Sequence, residues 1–81
     1  MSNSQENKKE FNIIVNGRPK KVTSQQQTFE QIVALAFNPV PPNAIFTVTY
    51  SHGHQAGSLQ PGQTITVENG MMFDVTETGQ S

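Results

Sequence analysis

The feature that most constrains the fold of this chain is the order in which its hydrophobic pattern changes period. Apolar residues alternate on either side of Asn16-Gly17, recur at helical spacing over residues 29–37, and then alternate again toward the end. A period of two is typical of a half-buried strand, whereas a period near 3.6 is typical of an amphipathic helix. The predicted order is therefore strand, strand, helix, strand, strand, which indicates an α+β domain.

Composition excludes several classes of site. The chain has 81 residues, close to the smallest size that one hydrophobic core can stabilise without disulfides or metals. It has no cysteine, so disulfides, thiolate zinc sites and a cysteine nucleophile are excluded. Its net charge is -1 with five basic residues, and we expect no nucleic-acid partner. No apolar run has the length of a membrane span or the character of a signal peptide, so we expect a cytoplasmic protein without membrane contact.

Polar segments mark the expected limits of the domain. Residues 1–10 are rich in Ser, Asn, Gln, Lys and Glu, and we expect them to form a flexible N-terminal arm. The folded domain is expected over residues 11–76. Residues 77–81 are expected to form a flexible C-terminal tail.

The first two strands are predicted to form a hairpin around Asn16-Gly17, because this dipeptide favours the positive φ angles of a tight turn. The second strand should begin after Pro19 and lie at a sheet edge, since proline cannot donate a ladder hydrogen bond. The helix is predicted to begin after Thr28, with Gln31 completing a capping box. Asn38-Pro39 is expected to end the helix.

The second half of the chain is predicted to contain two further strands, over residues 45–50 and 71–76, with a short alternating run at Ile65 and Val67. Residues 51–58 contain glycines and histidines and are expected to form a loop. Leu59 should anchor the following turn in the core. A parallel pairing between the first and last strands would close the sheet.

Four segments of the chain, in this order, resemble the bacterial multiubiquitin family of ubiquitin-like domains. They are residues 11–20, 28–37, 46–50 and 70–76, accompanied by a glycine and leucine anchor at 57–59 and by Pro61-Gly62. The resemblance implies a β-grasp (ubiquitin-like) fold. In that fold one helix packs on one face of a mixed four- to five-stranded sheet.

The resemblance further implies a ubiquitin-like protein modifier and not an enzyme. An ATP-dependent activating enzyme would activate the C-terminal carboxylate, and a conjugating-enzyme-like protein would transfer it to a target amine as an isopeptide bond. A peptidase would process the precursor or remove the conjugate. The operons of such systems are connected with conjugation and antiviral (antiphage) defence. ATP would be used by the partner enzyme, so we expect no bound cofactor and no catalytic residue in this chain.

The expected conjugation tail departs from the Gly-Gly ending of ubiquitin. It contains one glycine, Gly79, followed by Gln80 and Ser81. Either a peptidase removes the last two residues and exposes Gly79, or the partner enzymes accept Ser81 as the reacting end.

Other surface residues offer weaker candidates for function. Lys8 and Lys9 are candidate acceptor lysines for a second modifier, although lysines near a chain end usually only aid solubility. Ile14 and Met72 are expected on the outer faces of the first and last strands, where they would form a partner-binding surface. Isolated exposed apolar residues are nevertheless common on proteins.

The two histidines, His52 and His54, are expected to lie in an exposed loop and not in a metal site, because no cysteine and no neighbouring acidic residue accompanies them. Two functions from different classes therefore remain. The chain is either a covalent modifier that acts through its C-terminal carboxylate or a noncovalent interaction module that uses its sheet face. A β-sandwich fragment would be favoured instead if residues 28–37 were extended.

Overall fold

The computed structural model describes residues 10–80, so residues 1–9, which include Lys8 and Lys9, and Ser81 lie outside the described residues. The elements, in chain order, are β1 (Phe11–Val15), β2 (Arg18–Val22), β3 (Gln26–Thr28), α1 (Phe29–Ala36), β4 (Ala44–His52), β5 (Gln55–Leu59), β6 (Thr64–Thr66) and β7 (Met72–Gln80). A five-stranded sheet has the order β2-β1-β7-β4-β5, and β3 pairs with β6 in a separate two-stranded sheet.

The helix α1 packs on one face of the five-stranded sheet. Within this sheet β1 and β7 pair in parallel, and all other neighbouring strands are antiparallel. This is the expected α+β, β-grasp (ubiquitin-like) fold. The buried core comprises Ile13, Val15, Val22, Phe29, Ile32, Val33, Val48, Leu59, Val67, Met71, Phe73 and Val75. Most of these residues come from alternate positions of the strands and from one stripe of the helix, as the sequence pattern predicts. Val67 and Met71 lie just outside β6 and β7.

The hairpin of β1 and β2 turns through Asn16 and Gly17, whose φ angles of 53° and 80° are both left-handed, as a tight turn of this type requires. The strand β2 lies at a sheet edge as predicted, but it begins before Pro19. Pro19 lies opposite Ile14, and the Ile14 N–H donates to the Met71 carbonyl at 2.9 Å. The β1–β2 ladder therefore requires no N–H group from Pro19.

The start of α1 carries the predicted capping box. The Gln31 N–H donates to Thr28 Oγ1 at 3.1 Å, and the Thr28 N–H donates to Gln31 Oε1 at 2.8 Å. At the other end, the Phe37 N–H donates to the Val33 carbonyl, which closes the last turn. No helix within residues 10–80 has the length and apolar character needed to cross a membrane.

Residues 51–58 form a β-hairpin, and the prediction of a loop there was wrong. The strands β4 and β5 continue to a turn at Gly53-His54, where Gly53 has a φ of 62°. Tyr50 lies opposite Gly57, and a Cβ atom on Gly57 would lie 2.6 Å from Tyr50 Oη. The tyrosine ring thus covers the glycine of the edge strand. The strand β5 is stabilised by this packing across strands, and its sequence therefore lacks the alternating apolar residues that would have predicted a strand.

The pair of β3 and β6 was not predicted from the sequence. Its strands are polar, yet Gln27 is buried and its Nε2 donates to the Ser24 carbonyl at 2.8 Å. A buried, hydrogen-bonded amide side chain occupies a core-facing position that is usually apolar. A run of glutamines therefore gave no strand signal.

The last strand continues past Thr76 to Gln80, so the expected domain boundary at Thr76 and the expected tail from Glu77 need correction. The segment pairs with the beginning of β4, with Gly79 opposite Ile45. A β-bulge between Ile45 and Phe46 takes up one extra residue of β7 and lets the pairing resume. Within the described residues, the end of the chain is part of the sheet.

Candidate functional site

The candidate partner-binding residues Ile14 and Met72 are neighbours on the outer face of the sheet, opposite α1. They are direct register partners in the parallel pairing of β1 with β7. Met72 is 50% exposed and Ile14 is half-buried. The structure therefore brings the two residues together as the sequence predicts, and they form an exposed apolar pair at the centre of the sheet.

The rest of the outer face around this pair is mostly polar. Thr49 lies opposite Asp74, and Thr47 lies opposite Thr76, all of them exposed. Ile45 is 49% exposed but belongs to the distant end of β4. The apolar surface is therefore small, because hydroxyl and carboxylate groups border it.

The side chains of two turn asparagines, Asn16 and Asn69, form further hydrogen bonds between β1 and β7. They lie at the two ends of the short parallel pairing. The Asn16 side chain donates from Nδ2 to the Val75 carbonyl at 3.1 Å and accepts from the Val75 N–H at 2.8 Å. At the other end, Asn69 Oδ1 accepts from the Asn12 N–H at 2.8 Å. The Asn16-Gly17 signal indicated the first of these turns, but the hydrogen bonds between the asparagine side chains and the neighbouring strand were not predicted.

The C-terminal strand places two of the three expected conjugation residues, Gly79 and Gln80, against β4. Gly79 lies opposite Ile45, and Gln80 lies opposite Ala44. The Thr78 hydroxyl donates to the Ile45 carbonyl at 3.2 Å. These contacts hold the segment in an extended conformation along the sheet.

Gly79 differs from the other glycines of the chain in having no visible role in folding. Positive φ angles account for Gly17, Gly53, Gly62 and Gly70, and the ring of Tyr50 accounts for Gly57. Gly79 has no such φ angle, and a Cβ atom added to it would meet no atom within 4 Å. The fold would therefore accommodate a side chain at this position.

The two histidines have different surroundings. His52 Nδ1 lies 3.5 Å from Glu68 Oε1, whereas His54 is exposed in the turn between β4 and β5. This acidic neighbour was not predicted from the sequence, because Glu68 is distant from His52 along the chain. Among residues 10–80, no group of three or more potential ligands (His, Cys, Asp or Glu) is arranged to hold a metal ion.

A family model described as multiubiquitin matches residues 11–79. The match begins at the first residue of β1, includes the helix and all the intervening strands, and ends at Gly79 in β7. No curated protein and no solved structure matches this chain.

Proposed function

The chain belongs to the multiubiquitin family, and from this membership we propose that it is a ubiquitin-like protein modifier. An ATP-dependent activating enzyme activates its C-terminal carboxylate, and a conjugating-enzyme-like protein carries the acyl group to a target protein. A peptidase processes the chain or reverses the conjugation. The proposed setting is the bacterial cytoplasm, in a ubiquitination-like pathway connected with antiphage defence.

The reacting group in this proposal is a carboxylate at the end of β7. Its oxygen attacks the α-phosphorus of ATP and displaces pyrophosphate, which gives an acyl adenylate. A nucleophile then takes the acyl group and releases AMP, and a target lysine amine finally receives it in an isopeptide bond. The chain supplies no catalytic side chain to these steps, since its part is to present a narrow, extended end.

Gly79 is the observation that carries the proposal. The fold tolerates a Cβ at this position, so folding gives no reason for a glycine in a β-strand, where glycine is unfavourable. A confined channel in an activating enzyme gives such a reason, because a side chain would obstruct entry. Gly79 is therefore the proposed reacting end, exposed after a peptidase removes Gln80-Ser81.

The end of β7 must leave β4 before its carboxylate can enter another protein. The contacts to be broken are the last pairings with Ala44 and Ile45 and the hydrogen bond from the Thr78 hydroxyl. A hydrogen bond of this kind contributes about 0.5–1.5 kcal/mol. Because the bulge already interrupts the ladder at this point, the segment can detach while the buried part of β7 stays in place.

The substitution Gly79→Val tests the proposal. We expect the variant to keep the unfolding temperature of the wild type, because a Cβ atom at this position meets no atom within 4 Å and a β-branched residue suits a strand. After coexpression with the enzymes encoded beside the chain, intact mass spectrometry should show wild-type protein that has lost Gln80-Ser81 or is joined to a target through its C-terminus. The adduct should be reduced at least about tenfold in Gly79→Val, because a valine side chain would block the channel.

The matched control is Thr76→Val, which places the same side chain at an exposed position of the same strand before the bulge. This variant should form adducts as the wild type does. Equal adduct formation by Gly79→Val would show that Gly79 is not the reacting end. An unchanged wild-type mass in the presence of active partner enzymes would show that the modifier proposal is wrong.

The exposed pair of Ile14 and Met72 favours a second candidate function, a noncovalent interaction module that uses the sheet face. Deleting residues 79–81 separates the two candidates. The deletion should abolish a covalent modifier but leave sheet-face binding to each partner enzyme unchanged in a titration. Met72→Glu should have the opposite effect, weakening binding while the C-terminal chemistry remains possible.

A further inference from the structure

A groove lies between the β1–β2 hairpin and the last turn of α1, on the helix side of the sheet. We name it the β2–α1 groove; its volume is about 380 Å³, and it is lined by Val15, Asn16, Arg18, Lys20, Leu35 and Ala36. Arg18 and Lys20 lie opposite the buried residues Val15 and Ile13, so both are on the helix-facing side of β2. The two cations therefore lie along one wall of the groove.

The positive charge of the groove is not neutralised within residues 10–80. The side chains of Arg18 and Lys20 form no ion pair or hydrogen bond there, and none of the lining residues is acidic. Lys21, on the opposite side of the same strand, instead has its Nζ 3.7 Å from Glu10 Oε1.

The nearby C-terminal end of α1 carries only about half an elementary negative charge and has no basic residue in its last turn. This partial negative charge offsets part of the positive charge of Arg18 and Lys20. Two full charges exceed that half charge, so the groove keeps an excess of positive potential.

The remaining walls fit an extended peptide better than a phosphate group. Leu35 and Ala36 provide a half-buried apolar surface, and β2 is an edge strand. In an antiparallel ladder, residue pairs that exchange main-chain hydrogen bonds alternate with pairs that do not. Val15 and Arg18 close the hairpin turn and are a hydrogen-bonded pair, so Asn12 and Lys21 are a pair of the other kind. The main-chain N–H and carbonyl of Lys21 therefore point away from β1 and are placed to pair with an added strand.

We propose that the β2–α1 groove binds an extended acidic peptide segment of a partner protein. Carboxylates of the peptide pair with Arg18 and Lys20, an apolar side chain packs on Leu35 and Ala36, and the peptide main chain pairs with Lys21. This site is separate from the proposed conjugation chemistry and does not depend on it. A nucleic-acid ligand is disfavoured, because two cations and an apolar surface provide few phosphate contacts.

The test is a fluorescence-anisotropy titration of the full chain with a labelled synthetic peptide that has Val and Ile residues flanked by Asp. A matched peptide carries Asn in place of each Asp. The variants Lys20→Gln and Lys21→Gln each remove one charge from β2, but on opposite faces. We expect Lys20→Gln and Arg18→Gln each to weaken binding about fivefold, and Lys21→Gln to weaken it less than about twofold.

Backbone NMR shifts locate the peptide independently of the variants. Shifts should concentrate on Val15, Leu35 and Ala36. Equal weakening by Lys20→Gln and Lys21→Gln, equal binding of the Asn peptide, or no saturation would overturn the proposal. Shifts centred on Val33 and Val40, in the apolar groove on the other side of α1, would also overturn it. Arg18 is exposed, so Arg18→Gln remains informative even if the half-buried Lys20 proves important for folding.

Discussion

The side chain of Asn16, in the turn after β1, forms the pair of hydrogen bonds to β7 that a main-chain residue would form if β1 were longer. It donates to the Val75 carbonyl and accepts from the Val75 N–H, which is the pattern that a neighbouring strand residue would provide. Its backbone φ of 53° is one that asparagine tolerates better than most residues. One residue therefore satisfies the turn and extends the pairing of β1 with β7.

Substituting Asn16 should separate these two roles. Asn16→Gly keeps the positive φ angle and loses both side-chain hydrogen bonds, so we expect the free energy of unfolding to fall by about 1–3 kcal/mol. Asn16→Ala loses the same bonds and adds the strain of a left-handed alanine, about 1–2 kcal/mol more. Urea denaturation of both variants measures the difference. Equal stability of Asn16→Gly and wild type would show that the Val75 contacts contribute nothing net.

The last strand consists of a buried part and a peripheral part. Phe73 and Val75 are buried on the helix side, whereas residues beyond the bulge pair with the beginning of β4. The free energy that holds β7 in the sheet therefore comes mainly from its first half, because apolar burial outweighs a few exposed hydrogen bonds.

Deleting residues 79–81 should accordingly lower the free energy of unfolding by less than about 1 kcal/mol. Val75→Ala in the same strand, by contrast, should cost about 1–3 kcal/mol, because it leaves a small cavity. Chemical denaturation of the two variants provides the comparison. A truncated protein that unfolds as easily as Val75→Ala would mean that the chain end is integral to the fold.

The sequence predicted those elements whose signals are local. The helix was predicted down to its Thr28 and Gln31 capping box, because both partners of that motif lie within one turn. The hairpin of β4 and β5 was missed, because its evidence is the packing of Tyr50 over Gly57 across two strands. Gln27 was overlooked for a similar reason, since a buried glutamine becomes visible only when its hydrogen-bond partner is known.

The candidate sites follow the same division. The proximity of Ile14 and Met72 was predicted, because alternation and a parallel first and last strand are sufficient to infer it. The β2–α1 groove was not predicted, since it needs the register of β2 against β1 and the position of the helix end. The contact between His52 and Glu68 likewise depends on how two distant segments meet.

The molecule as a whole has one small core on one side of its main sheet, and neighbouring residues can therefore have very different importance. Phe73 is 1% exposed, and Met72 beside it is 50% exposed. Phe73→Ala should lower the free energy of unfolding by about 3–5 kcal/mol. That is a large part of the roughly 5–10 kcal/mol expected for a domain of this size.

Met72→Ala provides the matched control and should change stability by less than about 0.5 kcal/mol. Thermal unfolding followed by circular dichroism distinguishes the two results. Similar losses in both variants would indicate that the outer face is covered by another surface in solution.

The parallel pairing of β1 with β7 sends the two ends of the domain to opposite poles. Ile14 lies beside Met72, so the chain enters on one side of this point and leaves on the other. At about 3.3 Å per residue, Glu10 and Gln80 are roughly 40 Å apart along the strands, and the longest dimension of the molecule is 49 Å. If the C-terminus of one copy were joined to the segment before Glu10 of the next, the linked copies would therefore form an extended assembly. Each copy would add nearly the full length of one domain.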